Sequence, residues 1–88
     1  MYLHLGSDTV VKTKNIIGIF DMDTSTVGKA TRTFLTRCEK EKKVVNVTYE
    51  LPKSFVLCDE DKEKVYITQI ASSTILKRSK KREFYIND

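Results

Sequence analysis

One helical stripe among many short β runs constrains this chain most. Val27, Ala30, Phe34 and Cys38 step by three, four and four, with Leu35 beside them. Lys29, Arg32, Thr36 and Lys40 fall on the opposite face, so the segment reads as one amphipathic helix. Elsewhere the apolar residues come in short clusters broken by turn residues. A doubly wound parallel sheet is excluded, because each parallel crossover needs about a dozen residues or more, usually helical. In 88 residues, one domain with one modest core is expected, spanning 1–88.

Read in order, Tyr2-Leu3-His4-Leu5 alternates as a strand, Gly6-Ser7-Asp8 turns, and Thr9 to Lys12 returns as the second arm of a hairpin. Thr13-Lys14-Asn15 interrupts the pattern. Ile16-Ile17-Gly18-Ile19-Phe20 is the strongest buried-strand run. The helix is expected to start near Ser25 or Thr26, with Asp23, Thr24 and Ser25 as N-cap candidates, and to fade within Glu39 to Lys43. Val44 to Tyr49 reads as a strand that Leu51-Pro52 breaks. Ser54 to Cys58 and Val65 to Ile70 form a hairpin across the charged Asp59 to Lys64. Ser72-Ser73-Thr74 starts a short helix to about Arg78, and Glu83 to Ile86 is a last short strand or tail. The expected class is α+β, with five or six mostly antiparallel strands, one main helix and a short C-terminal helix.

Charge is concentrated at one end. Residues 1–76 carry eleven cations and ten anions, whereas residues 77–88 carry five cations and two anions. A basic stretch such as Lys77, Arg78, Lys80, Lys81 and Arg82 fits a polyanion, and it also fits a solvated segment. Lys12, Lys14, Arg32 and Arg37 are further phosphate-contact candidates, and Phe84 and Tyr85 stand close behind the cluster. No helix-turn-helix, zinc-finger or RNA-recognition signature accompanies these cations, so base-specific readout does not follow. Short strands leave sheet edges to cover, which favours a homo-oligomer.

Catalytic readings are thinner. Asp21-x-Asp23 after an apolar strand is similar to the nucleophile segment of haloacid-dehalogenase-type phosphatases, with Asp59-Glu60-Asp61 as a distant acidic group. The alternative is that Asp21, Asp23 and Thr24 close a strand and cap a helix. A dyad of His4 with Cys38 or Cys58 lacks an activating group. Both cysteines fall in apolar patterns and read as buried free thiols. One histidine and no Cys-x-x-Cys pair argue against a metal site, and no cofactor motif is present. No apolar run reaches the roughly 18 residues of a membrane span, and no signal peptide is visible, so a cytoplasmic protein without membrane contact is expected.

The order of segments carries a resemblance. Met1-Tyr2-Leu3-His4-Leu5-Gly6, Val10-Val11, Ile16-Ile17-Gly18-Ile19-Phe20-Asp21, Ser54-Phe55-Val56-Leu57, Val65-Tyr66-Ile67-Thr68 and Ser72-Ser73-Thr74-Ile75-Leu76-Lys77-Arg78 together resemble the extracellular matrix regulatory protein B family of spore-forming Firmicutes. The likeness covers nearly the whole chain. It implies a LytTR-like fold, assembly into closed rings, and kinship with A-type proteins that bind DNA and activate biofilm-matrix genes. A-type proteins carry an arginine pair just before the strand equivalent to Ser54 to Cys58. Here that stretch reads Glu50-Leu51-Pro52-Lys53-Ser54, so the pair does not carry over and Lys53 is its one cation. The expected function is therefore a non-enzymatic, ring-forming regulator that contacts duplex DNA, or a related A-type regulator. Its candidate DNA contacts are Lys77, Arg78, Lys81 and Arg82, with Lys53 secondary. A structural oligomer without DNA contact is the alternative, and an Asp-x-Asp phosphatase the remote one.

Overall fold

The computed structural model describes residues 2–22, 28–48, 50–79 and 85–86. It opens with the hairpin of β1 (Tyr2–Gly6) and β2 (Thr9–Lys12), followed by a 3-10 turn over Thr13–Asn15 and β3 (Ile16–Asp21). The main helix α1 (Lys29–Lys40) leads to β4 (Val44–Asn46), β5 (Ser54–Asp59) and β6 (Glu63–Thr68). A short helix α2 (Ser72–Ser79) and the two-residue β7 (Tyr85–Ile86) complete the order. Five strands form the central sheet in the order β4-β6-β5-β3-β7, and β1-β2 is a separate ribbon. The β1-β2, β3-β5 and β5-β6 ladders are antiparallel; β4-β6 and β3-β7 are parallel. The α+β class, the long and short helices and the mostly antiparallel pairing are those expected from sequence.

Strand alternation sorts the side chains to two faces. Val56 and Cys58 of β5 and Tyr66 of β6 pack with Leu3, Leu5, Val11 and Ile75, so the hairpin and α2 cover one face. Phe55 and Val65 pack with Cys38 of α1 on the other. Two buried hydroxyls fasten the first face. Thr68 Oγ1 donates to the Leu5 carbonyl at 2.6 Å, tying β6 to β1, and Ser54 Oγ donates to the Ile70 carbonyl at 2.6 Å. The β1-β2 turn depends on Gly6, whose φ of +110° is a conformation that side chains rarely adopt.

The Ile16-to-Phe20 run is a strand, yet it is not buried throughout. Ile16 pairs with Cys58 and Gly18 with Leu57, so a bulge inserts Ile17 between them, and Ile17 is 46% exposed. One extra residue reverses the alternation beyond it. That is why Ile16 and Ile19, three apart, both enter the hairpin-side core.

Other boundaries also shift. The described helix starts at Lys29, with Gly28 as an extended N-cap that makes no side-chain cap bond, rather than at Ser25 or Thr26. Asp23, Thr24, Ser25 and Val27 lie outside the described residues. Ala30, assigned to the apolar stripe, is exposed, because the helix is best covered around Cys38 in its later turns. The end of α1 is sharp. Lys43 N–H donates to the Cys38 carbonyl at 2.9 Å and Lys42 N–H to the Glu39 carbonyl at 3.1 Å. Lys42 takes the left-handed φ of 60° that usually falls to glycine in such an ending. β4 stops at Asn46, shorter than the run to Tyr49, and β6 runs from Glu63 to Thr68 rather than from Val65 to Ile70.

Candidate nucleic-acid interface

Lys77 and Arg78 sit in the last turn of α2. The helix is anchored at its start by Thr74 and Ile75 N–H groups, which donate to the Ala71 carbonyl at 3.0 and 3.1 Å. Ile75 and Ser79, four residues apart, are buried, which turns Lys77 and Arg78 outward, and both are exposed. Their charge lies where the helix dipole is negative. Arg78 Nη1 approaches the His4 carbonyl at 3.5 Å, at the weak limit of a hydrogen bond, so the guanidinium leans over β1 without being held there.

Lys53 stands elsewhere. Its N–H donates to the Thr68 carbonyl at 2.9 Å and its carbonyl accepts from Met22 N–H at 2.8 Å. Its backbone is thus fixed between the ends of β6 and β3, while its side chain is exposed. Lys77 and Arg78 form one pair on α2; Lys53 belongs to the end of the sheet where β5 begins. Lys81 and Arg82 lie outside the described residues.

A third cationic surface escapes a tally taken along the chain. Lys29, Arg32, Arg37 and Lys40 are all exposed and, with Thr33 and Thr36, line one shallow surface on the outside of α1. At 100° per residue this arc is centred opposite the buried Cys38, and Glu39 is the one acid in the helix, at its margin. The Arg37 guanidinium lies 5.7 Å from the Phe34 ring centre, which steadies it. A helical wheel drawn about Cys38 reveals the cluster. Lys43, by contrast, is engaged at 2.9 Å with Glu41 and 3.8 Å with Glu63. The hydrogen bond between Lys43 and Glu41 holds the Glu41 carboxyl below its usual range and raises the Lys43 ammonium.

Among the described residues, the catalytic alternatives do not come together. Asp21 pairs with Ser54 at the start of β5, whereas Asp59 ends that strand opposite Glu63. Five residues of extended chain separate those levels by about 17 Å, so the two acidic groups of the phosphatase-like reading lie at opposite ends of the sheet. Asp23 lies outside the described residues. Cys38 and Cys58 are both buried, on opposite faces of the sheet. Burial, with Glu60 adding to it, pushes the Cys58 thiol up to about 12; burial also raises Cys38. Thiols so protected stay protonated at neutral pH and make poor nucleophiles. His4 is exposed, with Nε2 2.7 Å from the Ser7 carbonyl. Among the described residues no group of three or more His, Cys, Asp or Glu side chains is arranged to hold a metal, and no helix is long and apolar enough to cross a membrane.

The fold and its surface define a small α+β domain with cations displayed on outward helix faces and its two thiols buried on opposite faces of the sheet. The chain belongs to the RemA-like family, described as extracellular matrix regulatory protein A-like, whose pattern it matches over residues 2–79. It is also 37% identical over 79 residues to extracellular matrix regulatory protein B of Bacillus subtilis (strain 168), covering 90% of each chain. The matched span takes in α1, Lys53, Lys77 and Arg78, and ends before Lys80, Lys81 and Arg82.

Proposed function

We propose that this protein is a non-enzymatic, cytoplasmic regulator of matrix-gene expression that assembles into a ring and acts on duplex DNA, alone or beside a related A-type regulator. The observation that carries the reading is membership of a regulatory family across residues 2–79. Exposed Lys77 and Arg78, set on a helix whose other side is anchored in the core, support a phosphate contact. Lys81 and Arg82 would extend it, and Lys53 would add a second point. Each phosphate contact contributes little alone and is screened by salt. A ring repeats the patch, so later contacts become intramolecular and avidity rises.

A second reading, an oligomeric module with no DNA contact of its own, is favoured by the single cation Lys53 in the Glu50-to-Ser54 stretch. Salt-titrated binding to duplexes of unrelated sequence separates the two. The DNA reading expects affinity that falls steeply with salt, and a uniform loss across sequences in Lys77→Ala/Arg78→Ala and Lys81→Ala/Arg82→Ala. Wild-type protein that binds no duplex at low salt would overturn it in favour of the module.

A further inference from the structure

We infer that the outer face of α1 is a docking surface for the phosphate backbone of duplex nucleic acid, separate from the end of α2. The inference rests on the duplex partner proposed above and assigns it a second set of contacts. Lys29, Arg32, Arg37 and Lys40 stand exposed on one arc, with the hydroxyls of Thr33 and Thr36 between them. From Lys29 to Lys40 the helix rises about 16 Å. Over that length one strand of a duplex presents roughly five phosphates, at 3.4 Å of axis each. Lysines supply charge, arginine forks bind phosphate oxygens in pairs, and threonine hydroxyls donate between them.

The arrangement differs from a merely solvated helix face. Such a face places acids three or four residues from its cations, where each pair stabilises the helix. Here neither Lys29 nor Arg32 nor Lys40 has an acid at those spacings. The acid four residues after Arg37 is Glu41, which is bonded to Lys43. Instead, cations neighbour cations, with Lys29 three residues before Arg32 and Arg37 three before Lys40. Glu41 offsets Arg37 in part, the other cations have no acid at helix spacings, and an external polyanion would supply the missing charge. A lipid surface fits less well. An interfacial helix must turn its apolar side to the bilayer, and here Phe34, Leu35 and Cys38 are packed with Phe55 and Val65 of the sheet.

The test uses the full chain and duplexes of about two helical turns, followed by fluorescence anisotropy across a salt series. Lys29→Gln/Arg32→Gln/Lys40→Gln keeps helix-forming side chains and leaves Arg37 on Phe34. It should weaken binding at least tenfold on every sequence and reduce the salt slope by about 0.9 for each phosphate that is no longer neutralised. Lys29→Arg/Lys40→Arg should bind like wild type. Glu39→Gln, which removes the one acid of that helix, should tighten binding two- to threefold, a gain that misfolding cannot mimic. If the triple variant fails to fold by circular dichroism, the Glu39→Gln gain decides. Wild-type binding left unchanged by both variants overturns the inference while the proposed function stands. Wild type that binds no duplex overturns both. Phosphatidylglycerol vesicles bound through the α1 cations, with duplex binding indifferent to them, would also overturn the inference, in favour of a membrane surface.

Discussion

Across the central sheet, among the described residues, the face beneath the β1-β2 hairpin and α2 buries nine side chains, with Leu5, Ile19, Val56 and Ile75 at 0% exposure. The face beneath α1 buries three, and Phe20, Phe34, Leu35, Leu57 and Ile67 remain partly open around them. On that side Phe20 and Phe55 stack with ring centres 4.7 Å apart. Together with Ala30, Thr31, Phe34 and Leu57 they line an open groove of about 290 Å³. The closed face is also polar-satisfied, through the Thr68 and Ser54 hydroxyls. Among the described residues, two elements share the covering of one face, and the twelve-residue α1 covers the other. The difference, among the described residues, assigns more of the buried core to the hairpin side and leaves α1, with its outward cations, on the less buried side.

Truncation should separate the faces most strongly. Ile19→Ala removes a fully buried side chain and is expected to cost about 2–5 kcal/mol, whereas Phe34→Ala, already part-exposed, should cost about 1–2 kcal/mol. In a domain this size each kcal/mol moves the midpoint of thermal unfolding by about 4–8 °C. A Phe34→Ala loss equal to or above that of Ile19→Ala would break the comparison.

Hydroxyl removal gives a smaller contrast. Thr68→Val keeps the shape but strands the buried Leu5 carbonyl, so urea unfolding should show a loss of about 1–3 kcal/mol. Thr36→Val on the exposed side of α1 should stay within about 0.5 kcal/mol of wild type.

Alkaline titration gives the finest contrast. Cys58 is held protonated in the native state up to about pH 12, against an ordinary value of 9.0. Below pH 9 the thiol is protonated in both states and its contribution is complete. Above pH 9 the unfolded chain releases the proton and the native state keeps it, so stability falls until about pH 12. The slope is at most about 1.4 kcal/mol per pH unit for such a group. Cys58→Ala should flatten this decline more than Cys38→Ala, because burial lifts Cys38 less than Cys58, and there Lys43 and Arg37 work against Glu63 and Glu41. An equal effect of the two variants on the slope would show the thiol environments to be alike.

Much of this architecture is written in local periodicity. The opening hairpin, the β5-β6 hairpin and the Ser72-to-Ser79 helix follow from alternation, turn residues and apolar spacing. The exposure of Ile17 is largely hidden because a bulge is a property of pairing with β5; within β3 its one local sign is the adjacent Gly18. The end of α1 is blurred in the sequence because a lysine, not a glycine, takes the left-handed position. Lys77, Arg78 and Lys53 can be named from sequence, but not that the first two stand on α2 and the third at the start of β5. Lys29, Arg32 and Lys40 are legible from the helical spacing as one face; the structure adds Arg37 and Thr33 to that surface.

Self-assembly is the claim on which most of the proposed function depends. In the proposed ring, a neighbouring copy would cover the open groove beside α1 and the outer edge of β4, and repetition would turn weak phosphate contacts into useful affinity. The most direct measurement is molar mass in solution by light scattering at micromolar concentration, with and without duplex DNA. A discrete multiple of the 10.2 kDa chain that gains mass when duplex is added is the predicted result. A 10.2 kDa particle that duplex leaves unchanged would contradict it.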